Sequence, residues 1–131
     1  AAVGSSLYQK RIALLGLAFK EGTNDVRHSL SLRLYRMLRD QGASVVGHDI
    51  LAVEEARELE PEIVASVDLD DVLGNVEVVV VLNSEPSYSN INWSELTWEG
   101  TQPYVVDTRG ILDSDSLTSS GLSFDVLGSG H

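Results

Sequence analysis

The chain has 131 residues, of which 20 are acidic and 9 are basic, so its formal net charge is −11 with histidine neutral. This length suits one domain with a hydrophobic core of its own. The acidic balance argues against a nucleic-acid-binding protein, which carries a basic face, and against binding to anionic lipid. The chain contains no cysteine, which excludes disulfides, thiolate zinc sites and a cysteine nucleophile within it.

Targeting and metal-binding patterns are not found in the sequence. The three histidines are scattered without metal-ligand spacing, so we predict no metal site. No apolar run approaches the ~20 residues of a membrane span, and the N-terminus lacks the features of a signal peptide. We therefore expect a cytoplasmic domain without nucleic-acid or membrane partners. Because the chain begins at Ala1 rather than at Met, we expect it to be a piece of a longer protein.

The basic residues are strongly biased towards arginine. Only Lys10 and Lys20 are lysines, against seven arginines. A surface with many acids and few lysines is tolerated in strong salt, because salt screens its self-repulsion. An ordinary acidic cytosolic domain is the alternative, and the composition leaves both interpretations open.

Apolar runs alternate with helical patterns along the chain. We expect residues 1–9 to be a lead-in or linker and residues 10–131 to be one domain. The predicted strands are Lys10–Leu15, Ala43–Asp49, Ile63–Ser66, Glu77–Leu82, Pro103–Asp107 and Ser123–Leu127. The predicted helices run from a cap at Ser29 to a stop at Gly42, and over Val53–Leu59, Asp68–Leu73 and Asp113–Ser120. The stretch Ser84–Gly100 reads as an irregular connection with two short helices.

This alternation predicts an α/β fold, with a doubly wound parallel sheet of about six strands in three layers. The four consecutive valines Val78–Val81 are typical of a central strand that helices cover on both faces. With strands one and four at the centre, the predicted order is 3-2-1-4-5-6. In that order the ligand crevice lies at the carboxyl ends of strands one and four.

The loop after the first strand lacks the dinucleotide fingerprint. Gly16 has no glycine two residues later, so G-x-G-x-x-G is absent. Asp49 ends the second strand, where a dinucleotide site would bind ribose. It stands 49 − 16 = 33 residues after Gly16, against a usual spacing of about 20. A strand-end or capping role for Asp49 is the preferred interpretation.

Three cations stand at loops on the predicted crevice edge. Lys20 suits phosphate as a point charge, whereas Arg27 and Arg109 carry planar forks that can clamp phosphate or carboxylate. The structural alternatives are a solvated ammonium for the lysine and ion pairs for the arginines, with Asp25, Asp107 or Asp113 as partners. Asn83 and Ser84, after the fourth strand, could supply hydrogen bonds or could simply end the strand.

One longer motif is similar to a known family. The segment Gly16-Leu-Ala-Phe-Lys-Glu-Gly-Thr-Asn-Asp-Val-Arg-His-Ser resembles the C-terminal domain of the UDP-glucose/GDP-mannose dehydrogenase family. Later segments follow the family's order: the strand ending His48-Asp49, the valine run with Leu82-Asn83, the Val-Val-Asp-x-Arg segment and then Ile111-Leu112-Asp113. The chain departs from the family where it has His28 and Leu30 at the helix start, and Asp49-Ile50 after the second strand.

The resemblance implies a Rossmann-like domain that binds the nucleotide diphosphate of a UDP-sugar. The family oxidises the 6-hydroxyl of the sugar to a carboxylate and passes two hydrides to NAD. Its N-terminal domain binds NAD, and a central region forms the homodimer and supplies the catalytic cysteine. By resemblance, Phe19 and Lys20 line the UDP-sugar site, Arg109 contacts the nucleotide sugar across the dimer, and Arg27 reaches the NAD. This chain alone is expected to be inactive and to contain no catalytic residue.

Two other functions stay open at the level of the sequence. One is a freestanding Rossmann-like module that binds a nucleotide or another protein without catalysis. The other is a small NAD-binding regulatory domain, against which the missing glycine fingerprint argues. The residues do not distinguish UDP-glucose from UDP-N-acetyl sugars or GDP-mannose.

Overall fold

The apolar runs of the sequence form the strands of one sheet. The computed structural model describes residues 7–18, 22–96 and 102–127. Within those ranges six parallel strands lie in the order β3-β2-β1-β4-β5-β6, which confirms the predicted order and fold class. The strands are β1 (Arg11–Leu15), β2 (Ser44–His48), β3 (Val64–Ser66), β4 (Val78–Val81), β5 (Tyr104–Asp107) and β6 (Ser123–Val126).

The two central strands are apolar because both of their faces are covered. In the sheet, β1 pairs with β2 on one side and with β4 on the other. Leu14, Leu15, Val79 and Val81 have no exposed surface. This is the burial expected for the middle of a parallel sheet.

Helices cover the two faces of the sheet, as the three-layer prediction requires. The helices are α1 (Leu30–Asp40), α2 (Val53–Leu59), α3 (Leu69–Leu73) and α4 (Ser114–Ser119), with 3-10 turns at Pro86–Asn90 and Trp93–Glu95. Residues of α1 and α2 pack with Ile12 and Leu14 in one apolar cluster. Residues of α3 and α4 pack with Ala13 and Leu15 in the other. No helix in the described ranges is long and apolar enough to cross a membrane.

The buried face of α1 differs from the predicted one. The leucine spacing predicts one face of Leu30, Leu34 and Leu38 with Met37 beside it. Leu34 and Leu38 do pack against the core, but the side chains of Leu30 and Met37 are 58% and 65% exposed. The buried residues of the helix are Ser31, Leu32 and Tyr35. The prediction was wrong for Leu30 and Met37 because it considered only aliphatic residues, whereas a serine and a tyrosine face the sheet.

Candidate functional site

The carboxyl ends of the central strands meet where the chain reverses its direction across the sheet. From β1 the chain proceeds outward to β2 and β3, and then returns to β4 on the opposite side of β1. Such a reversal separates the loops that follow the two strands and opens a crevice between them. Polar residues end the neighbouring strands at this edge: Asp49 after β2, Asn83 after β4 and Asp107 at the end of β5.

Asp49 holds two loops of this edge together. One carboxylate oxygen accepts hydrogen bonds from the backbone N–H groups of Leu17 and Ala18, at 2.9 and 3.0 Å. The other accepts from Leu51 and Ala52, at 2.9 and 3.1 Å. The side chain is buried, and its oxygens are already engaged by four backbone donors. This geometry agrees with a capping role and offers nothing for a ribose hydroxyl.

The N-terminus of α1 is closed by Ser29. Its hydroxyl donates to the carbonyl of Leu17 at 2.7 Å and accepts from the backbone N–H groups of Ser31 and Leu32, at 3.0 and 3.4 Å. These backbone donors are the groups with which a dinucleotide-binding helix holds a pyrophosphate. Ser29 and Asp49 already accept hydrogen bonds from backbone N–H groups of these loops, and the glycine fingerprint is missing. The described part of the crevice therefore does not fit NAD.

Asp107 shapes the loop that presents Arg109. Its carboxylate has no exposed surface and accepts hydrogen bonds from the backbone N–H groups of Arg109, Gly110 and Leu112, at 2.8 to 3.0 Å. The oxygens of Asp107 are therefore engaged by backbone rather than by the guanidinium. Arg109 is exposed, and its side chain forms no ion pair with any residue that the structure describes.

Most other cations are already paired. Within the described ranges, carboxylate partners are found for Lys10, Arg11, Arg27, Arg36, Arg39 and Arg57. Arg33 and Arg109 have none there, and Arg33 lies on the exposed side of α1. Arg109 is thus the described arginine that combines an unpaired guanidinium with a position at the carboxyl edge of the sheet.

Arg27 forms an ion pair within its own loop. Its Nε and Nη2 donate to the two carboxylate oxygens of Asp25, at 3.0 and 3.1 Å. This hydrogen bonding raises the pKa of Arg27 and lowers that of Asp25. The guanidinium is 78% exposed, so the pair is screened by water and can be exchanged for another anion. Phe19 and Lys20, the other two predicted site residues, lie outside the described residues.

A buried histidine and tyrosine lie beneath the crevice, and neither was predicted from the sequence to belong to it. His48 Nδ1 is 2.8 Å from the hydroxyl of Tyr88, and His48 Nε2 is 3.1 Å from the carbonyl of Val67. Because a carbonyl only accepts, Nε2 carries the proton and Nδ1 accepts from Tyr88. Burial lowers the pKa of His48, whereas burial and the charges of Asp49 and Glu85 raise the pKa of Tyr88. No sequence pattern could have paired residues that are 40 positions apart.

Gly16 and Asn83 are in close contact across the switch point. Gly16 has a positive φ of 104°, and a Cβ placed on it would lie 2.6 Å from Cγ of Asn83. The carboxamide of Asn83 therefore packs against the bare Cα of Gly16. This explains why the loop after β1 begins with glycine even though the dinucleotide fingerprint is absent.

A small cavity opens beside this contact. It has a volume of about 90 Å³, and its walls include Gly22, Asp49, Asn83, Glu85 and Tyr88. A shallower groove of about 320 Å³ lies beside Arg27, where Glu55, Glu58 and Leu59 of α2 form part of its wall. Among the described residues no group of three or more histidines and acids is arranged to hold a metal ion.

The chain is similar in sequence to the members of one family of dehydrogenases. The sequence model described as UDP-glucose/GDP-mannose dehydrogenase family, UDP binding domain, matches residues 13–114. The UDP-glucose 6-dehydrogenase AglM of Haloferax volcanii is 46% identical over 120 residues, which cover 90% of this chain and 26% of that protein. The UDP-glucose 6-dehydrogenase of Rickettsia conorii is 30% identical over 122 residues, which cover 92% of this chain and 28% of that protein.

The fold is also similar to that of a solved structure. An NDP-N-acetyl-D-galactosaminuronic acid dehydrogenase from Methanosarcina mazei Go1 aligns with a TM-score of 0.79 and 25% identity, covering 97% of this chain and 26% of that one. The chain spans little more than a quarter of the length of these relatives. Because the family model matches most of the chain, this protein belongs to the UDP-glucose/GDP-mannose dehydrogenase family and contains its UDP-binding domain.

Proposed function

We propose that this chain is the nucleotide-sugar-binding domain of an NAD-dependent UDP-sugar 6-dehydrogenase. Residues 10–131 would bind the diphosphate end of the substrate, and the NAD site and the reacting cysteine would lie in other domains of the same enzyme. The proposed enzyme is a cytoplasmic homodimer that oxidises the sugar 6-hydroxyl to a carboxylate. This assignment is supported by the family match and by a crevice that does not fit NAD.

The observation that carries the proposal is that Arg109 is exposed and forms no ion pair with a described residue. In a chain of net charge −11, most described cations are neutralised by carboxylates, but this guanidinium is exposed at the carboxyl edge of β5. The buried Asp107 fixes the loop from behind, so little conformational freedom of the backbone has to be lost on binding. A planar fork held in this way suits the oxygens of a diphosphate.

The domain would contribute to catalysis through binding energy. Contacts with the non-reacting diphosphate hold the sugar in place, so that its 6-hydroxyl reaches the reacting groups in the correct orientation. Lys20 and Phe19 are proposed to complete the site, and Arg27 is proposed to exchange its pairing with Asp25 for a phosphate of NAD. None of these residues is proposed to move a proton or to form a covalent bond.

Calorimetric titration of the full-length dehydrogenase that contains this chain with UDP-glucose tests the proposal. We expect Arg109→Ala to weaken binding by about tenfold or more, because a charge-assisted hydrogen bond contributes about 1.5–3 kcal/mol. Arg33→Ala removes the same charge from the exposed side of α1 and is the matched control, expected to bind as the unmodified chain does. Equal losses in the two variants would indicate a general charge effect and would remove the assignment of Arg109.

The role of Arg109 in turnover requires a second measurement. In the full-length dehydrogenase that contains this chain, Arg109→Ala should raise the KM for UDP-glucose while Arg33→Ala leaves it unchanged. NAD reduction is followed by absorbance with saturating NAD. A full-length protein that binds UDP-glucose but never reduces NAD would refute the enzymatic part of the proposal and favour a binding module.

A further inference from the structure

The cavity between Gly22, Asp49, Asn83, Glu85 and Tyr88 has the size of a few hydroxyl groups rather than of a nucleotide. Its volume is about 90 Å³. Because one water molecule occupies about 30 Å³ of liquid, this space would hold about three waters. The hydroxyl-bearing edge of a single sugar ring matches that size, whereas a base with its ribose and phosphates does not.

The walls of this cavity carry negative charge. Asp49 and Glu85 both line it, and no cation among the described residues does. Burial, and after it the charges of the same two carboxylates, raise the pKa of the Tyr88 hydroxyl, which also lines the cavity. A phosphate placed here would be repelled, so the cavity suits a neutral ligand group.

Two side-chain atoms of residues that line the cavity have no hydrogen-bond partner among the described residues, Glu85 Oε1 and Asn83 Nδ2. Glu85 Oε2 accepts hydrogen bonds from the backbone N–H and the hydroxyl of Ser87, at 2.8 and 2.6 Å, while Oε1 bonds no described residue. Asn83 Oδ1 accepts from the backbone N–H of Glu85 at 3.2 Å, while Nδ2 bonds no group in the described part of the chain. Asn83 is 2% exposed, and its position is fixed by the contact with Gly16.

A carboxylate acceptor and an amide donor that line one cavity can together bind adjacent hydroxyl groups of a sugar. Each hydroxyl can donate to the carboxylate oxygen and accept from the amide. The carboxylate also makes the hydrogen bond stronger than one between neutral partners. These two atoms therefore provide a recognition pair for a diol, while Arg109 stands beyond the end of β5 for the charged part of the ligand.

We propose that this cavity is a hydroxyl-binding subsite of the nucleotide-sugar site, in which Glu85 Oε1 and Asn83 Nδ2 bind the adjacent hydroxyls of a sugar ring. The inference rests on the proposed function, because it assigns to the same crevice the part of the ligand that carries no charge. The ring is either the ribose or the hexose of the UDP-sugar. Glu85 and Asn83 are binding residues in this assignment and take no part in bond making.

Calorimetry with three ligands tests the subsite in the full-length protein that contains this chain: UDP-glucose, UDP and 2′,3′-dideoxy-UDP. We expect Glu85→Gln to weaken binding by about tenfold for ligands whose hydroxyls occupy the cavity. If the hexose occupies it, only UDP-glucose loses affinity. If the ribose occupies it, UDP-glucose and UDP both lose affinity, and 2′,3′-dideoxy-UDP does not.

Two further variants control this experiment. Glu62→Gln removes the same charge from the loop before β3, at the amino edge of the sheet, and should leave all three affinities unchanged. Asn83→Asp keeps the acceptor oxygen and the shape of the side chain but loses the amide donor. Because the new carboxylate also repels the diphosphate, all three ligands should lose some affinity, and those whose hydroxyls occupy the cavity should lose more than the others.

The possible failures are distinguishable. Unchanged or tighter binding of all three ligands to Glu85→Gln, with Arg109→Ala still weakened, would overturn the subsite and leave the proposed function standing. No binding of any ligand by the unmodified full-length protein would overturn the proposed function and the subsite together.

Discussion

The imidazole of His48 is locked between the hydroxyl of Tyr88, 2.8 Å from Nδ1, and the carbonyl of Val67, 3.1 Å from Nε2. Both ring nitrogens are engaged, and the ring is 1% exposed. The ring planes of His48 and Tyr88 meet edge to face, with centroids 5.4 Å apart. This contact connects the end of β2 with the turn that follows β4, so it braces two walls of the crevice from below.

The neutral state of His48 predicts a pH dependence of stability. Burial lowers the pKa of the folded imidazole below its ordinary value of 6.5. Between these two pKa values the unfolded chain binds more protons than the folded chain. The contribution of neutral His48 to the free energy of unfolding is therefore complete above pH 6.5. It falls as the pH decreases below that value, by at most about 1.4 kcal/mol per pH unit for one proton.

Urea unfolding between pH 5 and pH 8 measures this effect. His48→Gln should remove the decline between pH 6.5 and pH 5, although it lowers stability at all pH values. His28→Gln replaces an exposed histidine and should keep the decline. An equal decline in His48→Gln and in the unmodified chain would show that other groups cause it.

The contact between Gly16 and Asn83 predicts a strong effect of one methyl group. Gly16→Ala should lower the free energy of unfolding by about 2 kcal/mol or more, because its positive φ is strained for alanine and its Cβ would overlap Asn83. Gly22→Ala is the matched control, since φ is also positive there but no atom of the described residues lies within 4 Å of the added Cβ. It should cost only about 1 kcal/mol.

A double variant separates the two causes at Gly16. Asn83→Ala removes the three atoms that the new Cβ would meet. In that background Gly16→Ala should cost no more than Gly22→Ala does, which urea unfolding can measure as a coupling free energy. Additive costs would mean that the loop moves away and that the close contact is unimportant.

Substitution of Asp49 tests whether its side chain caps two loops or binds a ligand. Asp49→Ala should lower the free energy of unfolding by about 3 kcal/mol or more, because four backbone donors lose a charged acceptor. Asp49→Asn keeps one acceptor oxygen and should have an intermediate effect. Asp70→Ala, an exposed residue in the first turn of α3, should cost less than about 1 kcal/mol. Urea unfolding at pH 7.5 gives all three values, and a small loss in Asp49→Ala would contradict the capping role.

Much of the fold could be predicted because strand order follows from apolar patterns. The valines of β4 and the run in β1 are apolar on both faces, so they had to lie at the centre of the sheet. Ser29 was predicted as a cap, and Asp68 and Asp113 were predicted to begin their helices; each accepts a hydrogen bond from the first turn of its helix. These features depend on local chemistry, which one sequence contains in full.

The site was less predictable because its parts depend on contacts over long distances. Arg109 could be found as a cation at a strand end, but that no described residue pairs with its guanidinium depends on Asp107 binding backbone instead. Asn83 and Glu85 could equally have been turn residues. Their role depends on Gly16 and on a cavity formed by three separate loops. The exposed position of Leu30 shows the same limit, since leucine spacing does not say which residues face the sheet.

The net charge of −11 predicts that salt stabilises the chain. Salt weakens the ion pairs of the exposed arginines, which lowers stability, and also weakens repulsion among the acids, which raises it. The 20 acidic residues outnumber the 9 basic ones, so the second effect should dominate. We expect the melting temperature to rise from low salt to 1 M KCl, where the screening length is about 3 Å.

A variant with Glu58→Lys and Glu62→Lys exchanges two exposed acids that form no ion pair among the described residues. It should melt higher at low salt and gain less from KCl, since less repulsion remains to be screened. A melting temperature that does not change up to molar salt would contradict the high-salt interpretation of this surface, and an equal gain in the variant would assign the effect to strengthened apolar burial instead.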